Sequence, residues 1–591
     1  MNETLNTESL LGKRIEIDEF DANLAYDVDE RPPWFVTVTT AFQHTFLCVG
    51  AVLAIVTVLS DVVCADLNDP VRSILFSSSI LVIGLSTAIQ SYFGLRLPVF
   101  QGASSSFMVP LIALQSSDTW KCPSDLKVSE SNITNVTTSN ISNSLTTNIV
   151  YSRLTELQGS LIAASMFEVV IGLTGLIGLL MKFISPITIG VTLFCLGYSL
   201  YPVAIFLCKA HWGISLVGCG ITVLFSVYMS HIKVTLPNCN RKSEKKSKPY
   251  PVFQVFPVLF TLIIMWVVCA VCTKLNVFSN DPDDMSFKAR TDVRNKVIQD
   301  TPWILIPYPG QFGTPKFNTA IFLGFLISVI TSVIESVGDY IATARVCHAY
   351  PVPRHALNRG IAIEGIFSVI SGTLGTGHAT TSYSTTVSLL GLTKIGSRIV
   401  LVVSGIMAVV LAIIGKFGAV MTSVPDPVLG GITFAMLGVL CSLGISALQN
   451  VELRSSRNLS VIGISLYFAV VFSEWQRKFP DSLKTDSDQL NQIVKVTIGN
   501  AMFIGFIVSL IMDNTVRGTD RERGILNEDE FSAINKQLLV NDDHVIPRSR
   551  LFDLPFVSRL QNSCKPLRHV PFLQPYIDSY DVTVNGSKQY A

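Results

Sequence analysis

The sequence is poor in charge, since Lys, Arg, Asp and Glu make up only 15% of its 591 residues, against about 25% in soluble globular proteins. This deficit excludes a disordered chain and an ordinary soluble multidomain enzyme. A net charge of +1 provides no general attraction for nucleic acid, so we expect no such partner. With 49% hydrophobic residues and a mean hydropathy of +0.47, the chain is predicted to be a polytopic membrane protein.

Recognisable catalytic patterns are also missing. The sequence has no cluster with metal-ligand spacing, no nucleophile–base pair and no phosphate-binding loop, so we expect neither an enzyme nor a bound metal or cofactor. Most of the cysteines lie in or beside apolar runs, where Cys packs as a small hydrophobe. Cys122 is nearly alone in a polar loop, and no disulfide framework is indicated.

Long apolar runs are abundant, and runs of about 17–25 residues are typical of membrane-spanning helices. The clear ones are 36–60, 73–95, 158–181, 183–208, 211–230, 251–273, 317–340, 399–415, 427–451 and 492–512. Weaker runs occupy 360–377 and 459–473, and two segments, 98–115 and 378–392, are too polar or too short for ordinary spans. Together they predict an all-α protein with fourteen transmembrane segments.

The distribution of Lys and Arg predicts the orientation. Six of these residues lie in the loop 231–250, which should therefore be cytoplasmic. Six spans precede this loop, so the segment 1–33 is expected to be cytoplasmic too, as is the tail 514–591. The loops 116–157 and 274–316 are then external.

The external loop 116–157 contains three N-x-Ser/Thr sequons within about ten residues, which favours glycosylation in a protein of the plasma membrane. They begin at Asn132, Asn135 and Asn140. The alternative is a linker that is simply rich in Ser, Thr and Asn.

An internal repeat is indicated by spacing. The first and eighth spans begin at 36 and 317, and the two unusual segments begin near 98 and 379, so both offsets are 281 residues. The halves would comprise 34–230 with the seventh span at 251–273, and 317–513. Seven spans per half make the repeat inverted, and interrupted segments at corresponding positions point to a central binding site.

The two interrupted segments are rich in small and hydroxyl side chains, which suits a short extended stretch followed by a half-helix whose N-terminus offers donors to a solute. Ordinary Ser/Thr-rich packing helices are the alternative. The candidate substrate-binding residues are Ser104, Ser105, Ser106 and Phe107 in the first segment and His378, Thr385 and Thr386 in the second.

Glu335 and Asp339 are four residues apart on one face of the eighth span. A charge at mid-membrane costs about 2.5–3.5 kcal/mol, so such residues usually face a cavity and serve a cation or a substrate. Asp339 could instead lie in the headgroup zone. His44 is either a satisfied hydrogen bonder or a ligand. Glu168 and Glu364 are interpreted first as structural partners, with a coupling role as the alternative.

The chain resembles the nucleobase–ascorbate transporter family, in particular its animal sodium-dependent vitamin C transporters. The likeness runs from Pro32-Pro-Trp34 to Asp513-Asn-Thr515. Its motifs include Gln43-His44, Leu97-Pro-x-Phe-Gln101, Trp120-Lys-Cys-Pro123, Ile334-Glu-Ser-x-Gly-Asp-Tyr340, Leu374-Gly-Thr-Gly377, Gly391-x-Thr-Lys-x-Gly-Ser-Arg398, Pro425-Asp-Pro427 and Ser455-Ser-Arg-Asn458.

The resemblance implies a core domain of spans 1–4 and 8–11 that moves against a gate domain of spans 5–7 and 12–14, usually in a homodimer. Substrate would lie between the two short segments and the eighth span, with Glu335 accepting its hydrogen bonds. Asp339 would match positions linked to sodium coupling, with His44 and Gln43 beside them.

The chain departs from the family at two places. Thr385, Thr386, Val387 and Ser388 replace the Pro-Asn-x-Gly of vitamin C carriers, and Ser105 stands where a Phe often packs on the substrate ring. We therefore expect a pocket that has lost an aromatic wall and an amide and gained hydroxyls.

Together these features predict a symporter that imports a small polar ring solute with sodium as the co-transported ion. L-Ascorbate is the first choice and a purine or pyrimidine base the alternative. A channel, or a sensor that does not transport, is the rival interpretation from another class.

Overall fold

The structure is a computed structural model. The residues that it describes are 24–115 except 68, 120–122, 139–180, 183–232, 234–235, 249–250, 252–281, 284–347, 349, 352–479, 482, 491, 494, 497–519, 522–524, 551–554, 557, 561 and 570–574. Two of the three sequons, at Asn132 and Asn135, lie outside these residues, as do most of the basic loop and of the C-terminal tail.

Helices dominate the described residues. In the first half they are α1 Trp34–Val62, α2 Val71–Tyr92, α3 Met108–Gln115, α4 Ser139–Thr174, α5 Leu176–Leu180, α6 Pro186–Ser199, α7 Tyr201–Cys208, α8 Trp212–Val223, α9 Val252–Val255 and α10 Pro257–Lys274. After α11, Asn295–Asp300, the second half has α12 Thr319–Val346, α13 Arg354–Leu374, α14 Ser384–Thr393, α15 Arg398–Ile413, α16 Gly415–Thr422, α17 Asp426–Ala447, α18 Ser456–Lys478 and α19 Ala501–Thr515.

Four short strands accompany the helices: β1 Gln101–Ala103, β2 Val234–Thr235, β3 Pro249–Tyr250 and β4 Thr380–Ser382. Strand β2 pairs with β3 inside the basic loop, and β1 pairs with β4 across the two halves of the chain. The prediction of an all-α membrane protein is confirmed, and β1 and β4 are the short extended stretches expected in the two interrupted segments.

The prediction of a polytopic membrane protein is confirmed. Among the described residues, eight helices are long and apolar enough to cross a bilayer when α6 and α7 are counted as one, and four shorter apolar helices accompany them. Together with α13 and the β4–α14 segment, they account for the fourteen predicted segments.

Some boundaries differ from the prediction. Helix α4 begins at Ser139, far inside the stretch 116–157 that was expected to be a loop, and Asn140 is therefore helical. The apolar part that suits a bilayer begins only at Asn148. A search for apolar runs misses a polar helical extension, since a helix outside the bilayer needs no apolar side chains. The predicted span 183–208 is two helices, with Pro202 in the first turn of the second.

The inverted repeat is visible in how the helices pack. Helix α2 of the first half packs against α15 of the second half, and α13 of the second half packs in the same way against α4 of the first. Likewise, α1 of the first half packs against α15, and α12 of the second half packs against α4. Exchanging the two halves thus maps one set of contacts onto the other. The exchange also maps β1 onto β4, which pair antiparallel on the axis between the halves with Gly102 opposite Thr381.

The remaining spans form a second group. Helix α17 packs against α6, α7 and α8, while α19 packs against α6 and α18. We call α1–α4 with α12–α15 the core group and α6–α10 with α17–α19 the gate group. The two groups meet mainly where α1 lies against α17 and α10 and where α12 lies against α6.

The connection between the halves is attached to both groups by charged side chains. Lys288 Nζ lies 3.5 Å from Asp61 Oδ2 at the end of α1 in the core group. Arg294 Nη2 lies 2.5 Å from Asp426 Oδ1 at the start of α17 in the gate group. Arg294 also donates to the carbonyl oxygen of Val424 at 2.7 Å. This connection therefore bridges core and gate on one side of the protein.

The structure contains a disulfide between Cys64 and Cys122, whose Cα atoms are 5.7 Å apart. The sequence indicated no disulfide framework, and this bond corrects that expectation. The two cysteines are 58 residues apart in sequence, and only the folded chain brings the end of α1 to the segment 120–122. Arg153 reinforces this junction by stacking on Trp120 and donating to the carbonyl oxygen of Val62.

One close helix contact in the core group depends on glycine. A Cβ on Gly405 of α15 would lie 2.4 Å from the carbonyl oxygen of Gly84 on α2, so no side chain fits there. We expect Gly405→Leu to destabilise the protein by about 1–3 kcal/mol through overpacking. The measurement is the melting temperature and the monodisperse fraction of the purified protein.

The matched control is Gly463→Leu on α18, because Gly463 is exposed and a Cβ there would meet nothing within 4 Å. The prediction fails if Gly405→Leu is as stable and as abundant as Gly463→Leu.

Candidate functional site

A cavity lies between the core group and the gate group. Its core wall carries the polar side chains, and its gate wall on α17 is mostly apolar. The lining side chains used below are Ser105, Glu335, Tyr383, Ser384 and Thr385 from the core and Ile432, Met436 and Leu440 from α17.

The core wall is built on the two interrupted spans. Strands β1 and β4 satisfy part of each other's backbone hydrogen bonding, which an isolated extended segment cannot do at membrane depth. A helical segment begins directly after each strand, at Ser105 and at Ser384. Both of these residues line the cavity. Two helix N-termini, each the positive end of a helix dipole, therefore border the same space.

Glu335 is the acidic side chain that lines the cavity. It lies on α12, is 6% exposed, and its Oε2 has no hydrogen-bond partner. An unbonded carboxylate oxygen beside a cavity is an acceptor available to a solute. The structure thus places the first predicted site residue where a ligand can reach it.

Asp339 has a different environment one turn further along α12. Its Oδ2 accepts a hydrogen bond from Ser382 Oγ at 2.7 Å, and its Oδ1 accepts one from Ser384 Oγ at 2.8 Å. Helix α12 continues to Val346, so Asp339 does not end the helix, and its side chain is buried within the protein. Asp339 fixes the junction between β4 and α14, directly behind the cavity wall.

Only one of the four residues predicted in the first segment lines the cavity. Ser105 does, whereas Ser104 and Ser106 are buried and hydrogen-bonded to each other at 2.8 Å. Phe107 is fully buried against Phe325 of α12, with ring centroids 5.2 Å apart. These three side chains support the segment from behind and do not face a solute in this conformation.

The second segment divides in the same way. Thr385 lines the cavity, and its hydroxyl has no hydrogen-bond partner. Thr386 instead donates to the carbonyl oxygen of Tyr383 at 2.6 Å. His378 is fully buried, with Nε2 2.9 Å from Ser79 Oγ and Nδ1 3.0 Å from the carbonyl oxygen of Ala379. His378 thereby joins β4 to α2 and does not contact the cavity.

The residues assigned to ion coupling beside Asp339 are buried in α1. The ring of His44 stacks on Phe100 with centroids 6.4 Å apart, and neither ring nitrogen has a hydrogen-bond partner. Gln43 is buried as well. Neither side chain lines the cavity, and their role in coupling remains a prediction.

Sequence reasoning missed Tyr383 and Ser384, both of which line the cavity. The Tyr383 ring packs directly on Gly102 of the paired strand, where an added Cβ would lie 2.5 Å from Cδ2 of the ring. The sequence suggested that the pocket had lost its aromatic wall at Ser105, but Tyr383 supplies an aromatic ring from the other half. No signal in one sequence reveals this, because Gly102 and Tyr383 meet only through the β1–β4 pairing.

Comparison with known proteins agrees with this architecture. A sequence profile described as a permease family matches residues 35–478. Solute carrier family 23 member 2 of Mus musculus is 37% identical over 509 residues, which cover 86% of this chain and 77% of that protein. The chain belongs to the nucleobase–ascorbate transporter family. It is therefore a multi-pass membrane transporter and not an enzyme.

Further members of the nucleobase–ascorbate transporter family match over most of their length. Solute carrier family 23 member 1 of Rattus norvegicus is 34% identical and covers 95% of this chain and 91% of its own. Nucleobase-ascorbate transporter 2 of Arabidopsis thaliana is 28% identical, and the match covers 85% of this chain and 90% of that protein.

Among solved structures, the transmembrane domain of the cyanobacterial bicarbonate transporter BicA is similar to this chain at 12% identity. The match covers 83% of this chain and 99% of that chain, with a TM-score of 0.43.

The two hydrogen bonds to Asp339 generate a stability prediction. We expect Asp339→Ala to lower the free energy of unfolding by about 1–3 kcal/mol, because it leaves the buried hydroxyls of Ser382 and Ser384 without their acceptor. Asp339→Asn should lower it by less than half as much, since the Asn side chain keeps an acceptor oxygen and the rotatable hydroxyls can accept from its N–H groups.

The measurement is the melting temperature of both purified variants beside the unsubstituted protein. If Asp339→Ala melts at the unsubstituted temperature, Asp339 does not hold the β4–α14 junction.

Proposed function

We propose that this transporter imports a small polar ring solute, L-ascorbate in the first place, together with sodium across the plasma membrane. The proposal rests mainly on Glu335, which lines a cavity bordered by two helix N-termini and has one buried carboxylate oxygen without a hydrogen-bond partner. The names of the solute carrier family 23 relatives do not state a substrate, and the choice of ascorbate follows from the resemblance and from the chemistry of the cavity.

The cavity offers complementary groups to an ascorbate anion. Glu335 accepts hydrogen bonds from ring or side-chain hydroxyls of the solute. The helix N-termini at Ser105 and Ser384 suit the anionic oxygen, because the positive end of a helix dipole favours negative charge. The hydroxyls of Ser105, Ser384 and Thr385 both donate and accept. Tyr383 provides a ring face on which the flat solute stacks.

Coupling to sodium is proposed because the solute and Glu335 are both negatively charged. An anionic solute beside an ionised Glu335 places two negative charges in a space with little water, where repulsion is poorly screened. A co-transported sodium ion offsets this charge, and oxygen ligands suit a hard cation. We infer that sodium binds near Asp339, with His44 and Gln43 in the surrounding layer.

The apolar gate wall suits movement between the groups. The α17 side chains Ile432, Met436 and Leu440 face the polar core wall and form no hydrogen bonds that would have to break when the core moves. We propose that the core group carries the solute past this wall.

The proposal also includes a homodimer, cytoplasmic termini and glycosylation at Asn132, Asn135 and Asn140.

A nucleobase is the second candidate, because a neutral base presents ring N–H groups to Glu335 and an aromatic face to Tyr383. The name of the Arabidopsis relative includes both solute classes. A channel or a sensor on the same fold would show no concentrative uptake, which separates it from both candidates.

Uptake in cells tests the central role of Glu335. We expect sodium-dependent ascorbate uptake in cells that express this chain, and a loss of about tenfold to a hundredfold in Glu335→Gln, since a hydrogen bond to a charged group contributes about 1.5–3 kcal/mol. The measurement is radiolabelled uptake of ascorbate, uracil and hypoxanthine in sodium and in choline, normalised to surface expression.

The matched control is Glu452→Gln, which removes an exposed carboxylate outside the cavity and should leave uptake unchanged. Uptake by Glu335→Gln at the level of Glu452→Gln would contradict the assignment. Uptake of a base without ascorbate would select the second candidate.

The packing of Tyr383 on Gly102 generates a separate prediction. Gly102→Ala should displace the ring and raise the KM for the transported solute about tenfold, because overpacking costs about 1–3 kcal/mol. Gly438→Ala on α17 is the control, since a Cβ there meets nothing within 4 Å. An unchanged KM in Gly102→Ala would show that the ring position does not matter for binding.

A further inference from the structure

We propose that residues 302–308 bind the lipid–water interface of the bilayer and anchor one end of the core group there. These residues, Pro-Trp-Ile-Leu-Ile-Pro-Tyr, belong to the connection between the two halves of the chain and precede helix α12. We call them the apolar strip. The apolar runs predicted only an external loop over 274–316, and the proposal is independent of the transported solute.

Four large side chains of the apolar strip are exposed. The exposed fractions are 72% for Trp303, 70% for Ile304, 66% for Ile306 and 60% for Tyr308. Contiguous exposed apolar side chains mark surfaces that bind a protein or a membrane. The apolar strip therefore requires a cover that the described part of the chain does not provide.

The exposed surface changes from polar to apolar where the strip begins. The preceding helix α11 exposes Lys296, Gln299 and Asp300. From 301 to 315 the sequence then contains no charged residue. Trp and Tyr are enriched at membrane–water interfaces, where their amphipathic rings lie at the level of the headgroups. This composition favours lipid over water as the cover of the strip.

Backbone hydrogen bonds hold the strip against the ends of two core helices. The Leu305 nitrogen donates to the carbonyl oxygen of Ile413 at 2.9 Å, and Ile413 is the last residue of α15. Just beyond the strip, the Gly310 nitrogen donates to the carbonyl oxygen of Thr373 at 2.9 Å, one residue before α13 ends. The strip therefore lies at the level at which these helices leave the membrane.

The exposed apolar surface of α15 continues onto the strip. Ile406 and Val410 are exposed on α15, and Ile414 is exposed one turn later. Ile414 forms an antiparallel β-bridge with Ile304 of the strip, and directly paired residues place their side chains next to each other on one face. An exposed apolar stripe on a helix that crosses the bilayer contacts lipid. Because the stripe and the strip form one continuous surface, we expect lipid on both.

The anchor acts on the core group, because the hydrogen bonds described above join the strip to α13 and α15. The strip also lies close to the backbone beyond α15, since no side chain fits between Gly415 and the carbonyl oxygen of Pro302. Binding of the strip to the interface therefore favours one depth of this end of the core group in the bilayer.

The fluorescence of Trp303 tests the proposal in the purified full-length chain in phosphatidylcholine nanodiscs. The chain has six Trp residues, so the emission of Trp303 is obtained as the difference between the unsubstituted protein and Trp303→Phe. Bromine atoms on acyl chains quench a Trp that touches them. We expect the difference emission to lose most of its intensity when bromine lies close to the headgroup, and to lose little when acrylamide is added to the water.

Trp120→Phe is the matched control, because Trp120 is 6% exposed and is covered by the guanidinium of Arg153. The difference emission of Trp120 should resist both quenchers. The double variant Ile304→Ser with Ile306→Ser weakens the strip and changes exposed side chains only. In this variant we expect less quenching of Trp303 by brominated lipid and more by acrylamide.

Strong quenching of Trp303 by acrylamide with none by brominated lipid would place the strip in water and overturn the proposal. Quenching by neither agent would assign the strip to an interface with a second copy of this chain, which would overturn it as well. Both comparisons need only the unsubstituted protein and Trp303→Phe, and neither depends on uptake of any solute.

Discussion

The need to pair backbone hydrogen-bonding groups inside the membrane governs this structure. Each half of the chain contains one span that is interrupted by an extended stretch, and unsatisfied N–H and C=O groups there would each cost several kcal/mol. Strands β1 and β4 meet this need together, with Gly102 opposite Thr381. Since the strands come from different halves, the pairing also joins the halves and places two helix N-termini beside one cavity.

The polar chemistry is therefore concentrated in the core group. Asp339 accepts hydrogen bonds from Ser382 and Ser384, so a buried charge fixes the position at which α14 begins. Glu335, one turn away, lines the cavity and has a carboxylate oxygen without a hydrogen-bond partner. The gate group presents apolar side chains of α17. This asymmetry, with hydrogen bonds on one wall and dispersion contacts on the other, is compatible with one surface moving along the other.

Sequence reasoning succeeded where the signal is local or periodic. Apolar runs identified the spans, and the repeated offset of 281 residues identified the interrupted segments and the inverted repeat. The reasoning failed where a residue's partner is distant in sequence. It missed the Cys64–Cys122 disulfide. It also could not show that Phe107 contacts Phe325 and that His378 contacts Ser79, and their predicted contact with a solute stays a prediction. It also placed a loop over the polar first turns of α4.

The sequence by itself determined that this chain spans a membrane many times and that its halves are repeats, and it singled out Glu335, which lines the cavity in the structure. Hydropathy and spacing are properties of the chain alone, and a carboxylate inside an apolar run is conspicuous without a fold. The tertiary structure decided which neighbours of Glu335 share its cavity. A one-residue step along an extended strand or a short helix turns a side chain from one face to another, so Ser105 and Thr385 line the cavity while Ser106 and Thr386 are buried behind it.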